Sequence, residues 1–230
     1  MAITLYDLVG ADARCFSPFC WRVRWALAHK GLTYERAVTR FTEIGDIGDG
    51  SFKTVPVIDD GGTWVGGSFD IALYLEEKYA DEPSLFGSHP TLARFIENWV
   101  QTQIHPRLVR LVVNDIHDHL TPEDQAYFTT SREKRFGMKL ADVQADRDDR
   151  IDDLRAAFQP LRATVEAHDF LGGDRPYFAD YLAAGPLQWA RVISQFQILE
   201  ADDPVAAWFG RIVDLYDGMA REAPGYPLAA

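Results

Sequence analysis

The chain has 230 residues, 47% of them hydrophobic and 25% charged, which is an ordinary globular composition with enough apolar residues for a core without disulfides or metals. Its formal net charge is −12, and a surface that negative repels both nucleic-acid phosphates and anionic lipid headgroups. We therefore expect neither a nucleic acid nor a membrane as a partner.

The first residues and the cysteines predict a cytoplasmic protein. Met1 to Tyr6 enter a strand-like run directly, without a signal-peptide pattern, and no apolar stretch reaches membrane-spanning length. Cys15 and Cys20 lie so close together that a disulfide between them would close a tiny loop of little stabilising value. Unpaired cysteines are typical of the reducing cytoplasm.

The first eighty residues predict an α/β unit. Short apolar runs at 3–8 and 34–38 are strand-like, and the helical pattern between them, from Pro18 to Lys30, favours parallel pairing of the two strands. An irregular stretch follows at 41–53. The remaining predicted elements are short strands at 55–58 and 63–65, a turn at 59–62 and a helix at 68–79.

The rest of the chain predicts only helices. A long helix at 91–119 is interrupted at His105-Pro106, because a proline inside a helix removes one backbone hydrogen bond and produces a kink. The further predicted helices are 132–147, 150–168, 178–196 and 205–220. We therefore divide the chain into a first domain at 1–82, a linker at 83–90 and an all-helical domain at 91–230.

Ser17 and Pro18 mark the junction of the first strand with the first helix. The N-terminus of a helix presents unpaired N–H groups and a partial positive charge, and it stabilises a thiolate placed there. A hydroxyl at this point can also donate a hydrogen bond to sulfur. Ser17 is therefore suited to hold the sulfur of another molecule, although a serine before a helix is also the usual N-cap.

Two further motifs point to a bound peptide. A cis Val55–Pro56 bond would turn the backbone of Val55 outward, where an extended peptide ligand can pair with it; the alternative is a plain edge-strand proline. Gly67-Ser68 opens the next helix, and its N-terminal amides with the Ser68 hydroxyl form either a carboxylate site or an ordinary cap.

In their order and spacing these motifs resemble the glutathione S-transferase superfamily. The resemblance implies a thioredoxin-like α/β domain of order β-α-β-α-β-β-α, an all-α C-terminal helical bundle, and glutathione as co-substrate with no metal. It assigns the glutathione sulfur to Ser17. It assigns the cysteinyl backbone to Val55 and Pro56, and the γ-glutamyl carboxylate to Ser68.

Three other features belong to the same resemblance. Lys53 stands where a basic residue contacts the glycyl carboxylate. Gly67 replaces a side chain that binds the γ-glutamyl amino group, so we expect Asp70 or a partner subunit to supply that contact. Asp180, within a helix-opening capping box, is expected to be structural. The family also implies a homodimer.

A looser likeness concerns the second substrate. Asn98-Trp99 and Asp115-Ile116-His117 are similar to the bacterial glutathione-dependent β-etherases and related fungal transferases. This implies a small apolar, aromatic electrophile, such as a β-aryl ether. We expect its pocket to be lined by Phe16, Phe19 and His105.

Two other functions stay open at this point. A non-catalytic protein that binds glutathione or hydrophobic ligands would keep the fold without conjugating a thiol. A thiol-disulfide reductase would use Cys20, although Ser17 holds the place of the cysteine that precedes the helix-opening proline in such enzymes. His117 and His119 lack further ligands at suitable spacing, and we predict a solvated helix end there rather than a metal site.

Overall fold

The N-terminal part is a four-stranded mixed sheet. The computed structural model describes residues 2–228; Met1, Ala229 and Ala230, which the predicted domain ranges include, lie outside the described residues. The strands are β1 Ile3–Leu8, β2 Tyr34–Thr39, β3 Val57–Asp60 and β4 Thr63–Gly66. Their order is β2-β1-β3-β4, with β1 parallel to β2 and antiparallel to β3. The predicted parallel pairing is confirmed.

The first helix, α1 Pro18–His29, connects β1 to β2 and is almost entirely buried. Proline suits its first turn because the fixed φ is helical and the missing N–H would have had no partner. Trp21 and Trp25 have no exposed surface, and their ring centroids lie 5.4 Å apart. The helix is therefore part of the core rather than its cover.

The middle of this domain differs from the sequence prediction at two places. The stretch expected to be irregular contains a 3₁₀ helix, Phe41–Asp46, at the position of the second helix in the β-α-β-α-β-β-α order. The prediction of a strand from residue 55 was wrong, since β3 begins at Val57 and Pro56 has no N–H to donate to a ladder. Of the two alternatives left open for Pro56, the structure has the cis Val55–Pro56 bond. The last helix of this domain is α2 Ser68–Lys78, which follows β4.

The second part of the chain is helical, and the predicted fold class is confirmed. Its helices are α3 Pro90–Trp99, α4 His105–Val112, α5 Pro122–Phe136, α6 Leu140–Gln144, α7 Arg147–Ala157, α8 Gln159–Val165, α9 Phe178–Ile193 and α10 Pro204–Gly218. Within residues 2–228, none of these helices combines the length and apolarity that crossing a bilayer requires.

The predicted helix at 91–119 was wrong in its extent. α3 and α4 are joined by one π-helical turn, Val100–Ile104, which places Pro106 near the start of α4. After α4 the chain forms turns and then a 3₁₀ helix, His117–His119. Where the sequence predicted a kink, the helix thus changes from π-helical to α-helical at His105.

The predicted helix at 132–147 was also wrong in its bounds. α5 begins ten residues earlier, where Thr121 caps it by accepting a hydrogen bond from the N–H of Asp124 at 3.4 Å. It ends at Gly137, whose φ of 71° is a left-handed conformation that glycine adopts without strain. The early part escaped prediction because α5 buries only Asp124 and Phe128, so its apolar periodicity is weak.

Asp180 is fully buried at the start of α9 and is structural, as predicted. Its Oδ1 accepts hydrogen bonds from the N–H of Leu171 at 2.8 Å and from Nε1 of Trp208 at 3.0 Å, and its Oδ2 accepts from the N–H of Tyr177 at 3.0 Å. The carboxylate therefore joins a loop, the start of α9 and α10 at a single point in the core.

We predict that Asp180→Ala lowers the free energy of unfolding by about 3 kcal/mol, because three N–H donors lose their buried acceptor. Denaturant titration followed by circular dichroism measures the change. Asp174→Ala is the matched control: its carboxylate is 84% exposed, and a change within about 0.5 kcal/mol is expected there. A loss below about 1 kcal/mol for Asp180→Ala would contradict the role given to this carboxylate.

Candidate functional site

The site predicted from sequence corresponds to one cavity of about 440 Å³ between the two parts of the chain, which we call the interdomain cavity. Its N-terminal side includes Ser17, Lys53, Val55, Pro56, Gly67 and Ser68, and its helical side includes His105, Tyr127, Phe128, Arg132, Arg135 and Trp189. Two other cavities, of about 520 and 790 Å³, contain none of the predicted site residues. All nine predicted residues of the glutathione and electrophile sites line the interdomain cavity.

Ser17 lies at the N-cap of α1, with its side chain in the cavity wall. Its Oγ accepts a hydrogen bond from the N–H of Cys20 at 3.2 Å. A hydroxyl that accepts through oxygen keeps its own hydrogen free, so Ser17 can cap the helix and donate to a ligand at the same time. The two interpretations of this serine, cap and ligand contact, are compatible.

Lys53 and Val55 lie side by side at the approach to β3. Val55 precedes the strand and is outside its ladder, which begins with Val57 paired to Tyr6 and to Gly66. Lys53 is exposed, and its Nζ donates to the carbonyl oxygen of Gly50 at 3.1 Å. The segment thus presents a backbone edge and a cation to the same cavity.

Gly67 and Ser68 form the opening of α2. Gly67 has a φ of 89°, a conformation that a residue with a side chain adopts only with strain. Its N–H donates to the carbonyl oxygen of Pro56 at 2.9 Å, and a Cβ built on it would lie 3.7 Å from Oδ2 of Asp70. Ser68 is buried at the first helical position. Unpaired amides, a hydroxyl and a nearby carboxylate therefore meet here.

Aromatic side chains build a further part of the cavity wall. The His105 ring stacks on Trp189 with centroids 5.1 Å apart and an angle of 17° between the planes, and it contacts Phe19 at 5.7 Å. Phe16 is buried and packs against Phe41. Phe16, Phe19, His105 and Trp189 all line the cavity, and we call this group of rings the aromatic slot, because a flat apolar group can pack on its ring surfaces.

Burial is the main reason why the pKa of His105 falls to about 4, with the positive charges of Arg22 and Arg135 lowering it further. The ring is therefore neutral at ordinary pH. Its Nδ1 is buried without a hydrogen-bond partner among the described residues. His105 thus serves the cavity as an aromatic surface rather than as a cation.

Arg132 and Arg135 line the cavity from α5, and neither was among the predicted site residues. They follow Phe128 at helical spacing, so that Phe128, Arg132 and Phe136 fall on one face. That signal was present in the sequence. It was missed because the helix was predicted to begin at residue 132, so Phe128 was not recognised as part of the same face.

The two cysteines are buried and free, and their environment opposes thiol chemistry. Burial, together with the negative charge of Asp7, raises the pKa of Cys15 to about 12, and the same two causes raise that of fully buried Cys20 well above its usual value. Because the thiolate is the reactive form, neither side chain is suited to attack a disulfide.

No cluster that could hold a metal ion is found in the part of the chain that the structure describes.

The helix end at 117–119 was expected to be solvated, and this is correct for His117 and Asp118 but not for His119. His119 is largely buried, and its Nε2 lies 3.0 Å from the carbonyl oxygen of Ile193, because the 3₁₀ helix folds back onto the end of α9.

Two family models match this chain. "Glutathione S-transferase, C-terminal domain" matches residues 91–217, and "Glutathione S-transferase, N-terminal domain" matches residues 16–78. Among curated proteins, the chain is 44% identical over 70 residues to glutathione S-transferase Z1 of Arabidopsis thaliana, covering 28% of this chain and 31% of that protein. The chain spans about half the length, or less, of the curated relatives it matches.

Solved structures share the whole architecture. Glutathione transferase GSTFuA3 from Phanerochaete chrysosporium has a TM-score of 0.83 at 25% identity, covering 93% of this chain and 96% of that one. Glutathione S-transferase CsGST63524 of Ceriporiopsis subvermispora, solved in complex with glutathione, has a TM-score of 0.84 at 23% identity, covering 97% and 99%. This second likeness establishes the common fold.

We predict that the His105 ring stays neutral until the pH approaches its pKa of about 4. The pKa in the folded state is below the unfolded value of roughly 6.5, so the unfolded chain binds the proton more readily, and stability is lost as the pH falls from about 6.5 towards 4. Ring ¹H–¹⁵N NMR spectra recorded from pH 8 to pH 4 test this, with His105→Gln to assign the signals. A titration midpoint near pH 6.5 would refute it.

Proposed function

The chain belongs to the glutathione S-transferase family, and from that premise we propose that it is a glutathione transferase of the serine type. The observation that carries the proposal is the interdomain cavity, where the Ser17 hydroxyl, a strand edge and a helix N-terminus face an aromatic slot. One side is suited to a peptide thiol and the other to an aromatic electrophile.

Glutathione lies extended along the N-terminal side in this proposal. The γ-glutamyl carboxylate binds the N–H groups at the start of α2 and the Ser68 hydroxyl, and Asp70 contacts the neighbouring amino group in place of a side chain at Gly67. The backbone of Val55, beside Pro56, pairs with the cysteinyl residue. Lys53 binds the glycyl carboxylate.

The sulfur then lies at the N-terminus of α1. The Ser17 hydroxyl donates a hydrogen bond to the thiolate, and the helix end adds a favourable partial charge, so both lower the pKa of the bound thiol. The thiol proton passes to solvent. The sulfur attacks the electrophilic carbon, the C–S bond forms, and the leaving group departs with the electron pair of the bond that breaks.

The electrophile occupies the slot made by Phe16, Phe19 and His105. Its stacked rings favour an aryl group, and a β-aryl ether is one substrate of that shape. An etherase would release a phenol from such an ether only in the presence of glutathione, which makes phenol release the direct assay. A carrier of hydrophobic ligands would bind the aryl compound without consuming glutathione.

We further propose that the protein is a cytoplasmic homodimer. α2 and α3 adjoin, since the Arg94 guanidinium lies 3.4 Å from the ring centre of Phe69. On these helices Leu92 is 74% exposed, Phe95 70% and Leu73 36%. We call these three exposed apolar side chains the α2–α3 apolar face, and we propose that a second copy of the chain covers them.

For Ser17→Ala, we predict a fall in kcat/KM at neutral pH of roughly 10- to 100-fold, the worth of one charge-assisted hydrogen bond. Loss of the donor raises the pKa of the bound thiol, so the rise of activity with pH should shift upward by about 1 to 2 units. Conjugation of 1-chloro-2,4-dinitrobenzene across pH measures both.

Ser17→Thr is the matched variant, because it keeps the hydroxyl and the cap and should retain most activity. Cys20→Ser separates the transferase from a disulfide reductase: activity should survive this change. An unchanged pH profile in Ser17→Ala, or complete loss in Cys20→Ser, would contradict the proposed chemistry.

For the assembly, we predict a dimer that the double variant Leu92→Glu, Phe95→Glu converts to a monomer, because two charges cannot be desolvated in an apolar interface. Sedimentation velocity measures the mass. Met138→Glu is the control, since Met138 is 45% exposed on another part of the surface and should leave the dimer intact. A monomeric wild-type protein would exclude the proposed assembly.

A further inference from the structure

The interdomain cavity has a charge opposite to that of the chain. The sequence carries 35 acidic and 23 basic residues, yet the described residues that line this cavity include Lys53, Arg132 and Arg135 and no aspartate or glutamate. Cations gathered in a partly apolar cavity without carboxylates attract an anionic ligand. Lys53 belongs to the strand side that is proposed to bind glutathione, so it does not account for the two arginines on α5.

Arg132 is held in place without being neutralised. Its guanidinium carbon lies 4.9 Å from the ring centre of Phe128 and 5.5 Å from that of Phe41. Within residues 2–228 its one side-chain hydrogen bond is from Nη1 to Oγ of Ser131, at 3.0 Å, and it has no salt bridge. The remaining N–H groups are left for a ligand.

Stacking explains the position of this arginine but not the choice of a cation. A neutral side chain would fill the same space beside the two rings without the cost of desolvating a charge. Arg135, one turn further along α5, adds a second positive charge that repels the first and makes the arrangement costlier without an anion. A negatively charged group bound between them would remove that cost and would form paired hydrogen bonds with the guanidinium.

We infer that the second substrate is an acidic aromatic electrophile, whose carboxylate Arg132 binds while its ring occupies the aromatic slot. The inference rests on the proposed function and makes Arg132 the residue that determines specificity in it. Arg135 contributes long-range attraction. The pocket predicted to be apolar is therefore apolar in its slot and cationic at its α5 side.

Binding tests this inference without requiring turnover. The probes are 3,5-dinitrobenzoate and its methyl ester, which share a ring but not a charge and carry no leaving group. Calorimetry is performed with saturating S-methylglutathione, which supplies no thiol and occupies the Lys53 side. Wild-type protein should bind the acid at least tenfold more tightly than the ester.

Three variants locate the effect. Arg132→Gln should weaken binding of the acid roughly 10- to 100-fold, with a loss for the ester that is at least tenfold smaller. Arg132→Lys should recover part of the affinity for the acid. Lys134→Gln removes a cation from the same helix at an exposed position outside the cavity, and it should bind both probes as the wild type does. Equal affinity for the two probes, or equal losses in Arg132→Gln, would overturn the inference.

Turnover separates this inference from the proposed function. With 4-chloro-3,5-dinitrobenzoate the glutathione sulfur bonds to the carbon that loses chloride, and Arg132→Gln should raise KM for this acid far more than for its methyl ester. If neither compound is conjugated while the acid still binds through Arg132, the transferase proposal fails and the anion site stands. If both are conjugated but Arg132→Gln affects them alike, the anion site fails and the transferase stands.

Discussion

The contact between α1 and α9 is the constraint on which the interdomain cavity depends. A Cβ on Gly185 would lie 2.7 Å from the carbonyl oxygen of Pro18, so at this position only glycine allows α9 to approach the first turn of α1 so closely. That approach fixes Ser17 at the junction of the two domains. Because Trp21 and Trp25 bury the next turns of α1, the hydroxyl is presented from a rigid support.

A second contact, made by a buried carboxylate, joins α5 to the first domain beside the interdomain cavity. Asp124 of α5 is fully buried and accepts hydrogen bonds from the N–H groups of Thr42 at 3.1 Å and Phe41 at 3.3 Å. The carboxylate thus binds the start of the 3₁₀ helix in the first domain to the helix that carries Arg132. This carboxylate is therefore buried in a structural role. In the described part of the chain, the Lys and Arg side chains that line the neighbouring cavity are not matched by any Asp or Glu, so a chain of net charge −12 can still attract an anion there.

The sequence predicted those features that depend on neighbouring residues. Ser17, Val55 and Ser68 are recognisable because a proline, a strand edge or a helix start next to each of them restricts its role. Arg132 was not recognised, because its meaning depends on where α5 begins and on which face meets the other domain. His119 was misjudged for a similar reason: its partner, the carbonyl oxygen of Ile193, lies 74 residues away in the chain.

The π-helical turn at Val100–Ile104 sets the rotational phase of everything that follows it on that helix. Such a turn holds one residue more than an α-helical turn, so it rotates the next face by roughly 100° about the axis. Because His105 comes directly after it, this single extra residue decides that an imidazole, and not a neighbouring aliphatic or polar side chain, meets Trp189. A one-residue deletion here would turn the buried Leu108 and Leu111 of α4 away from the core together with His105.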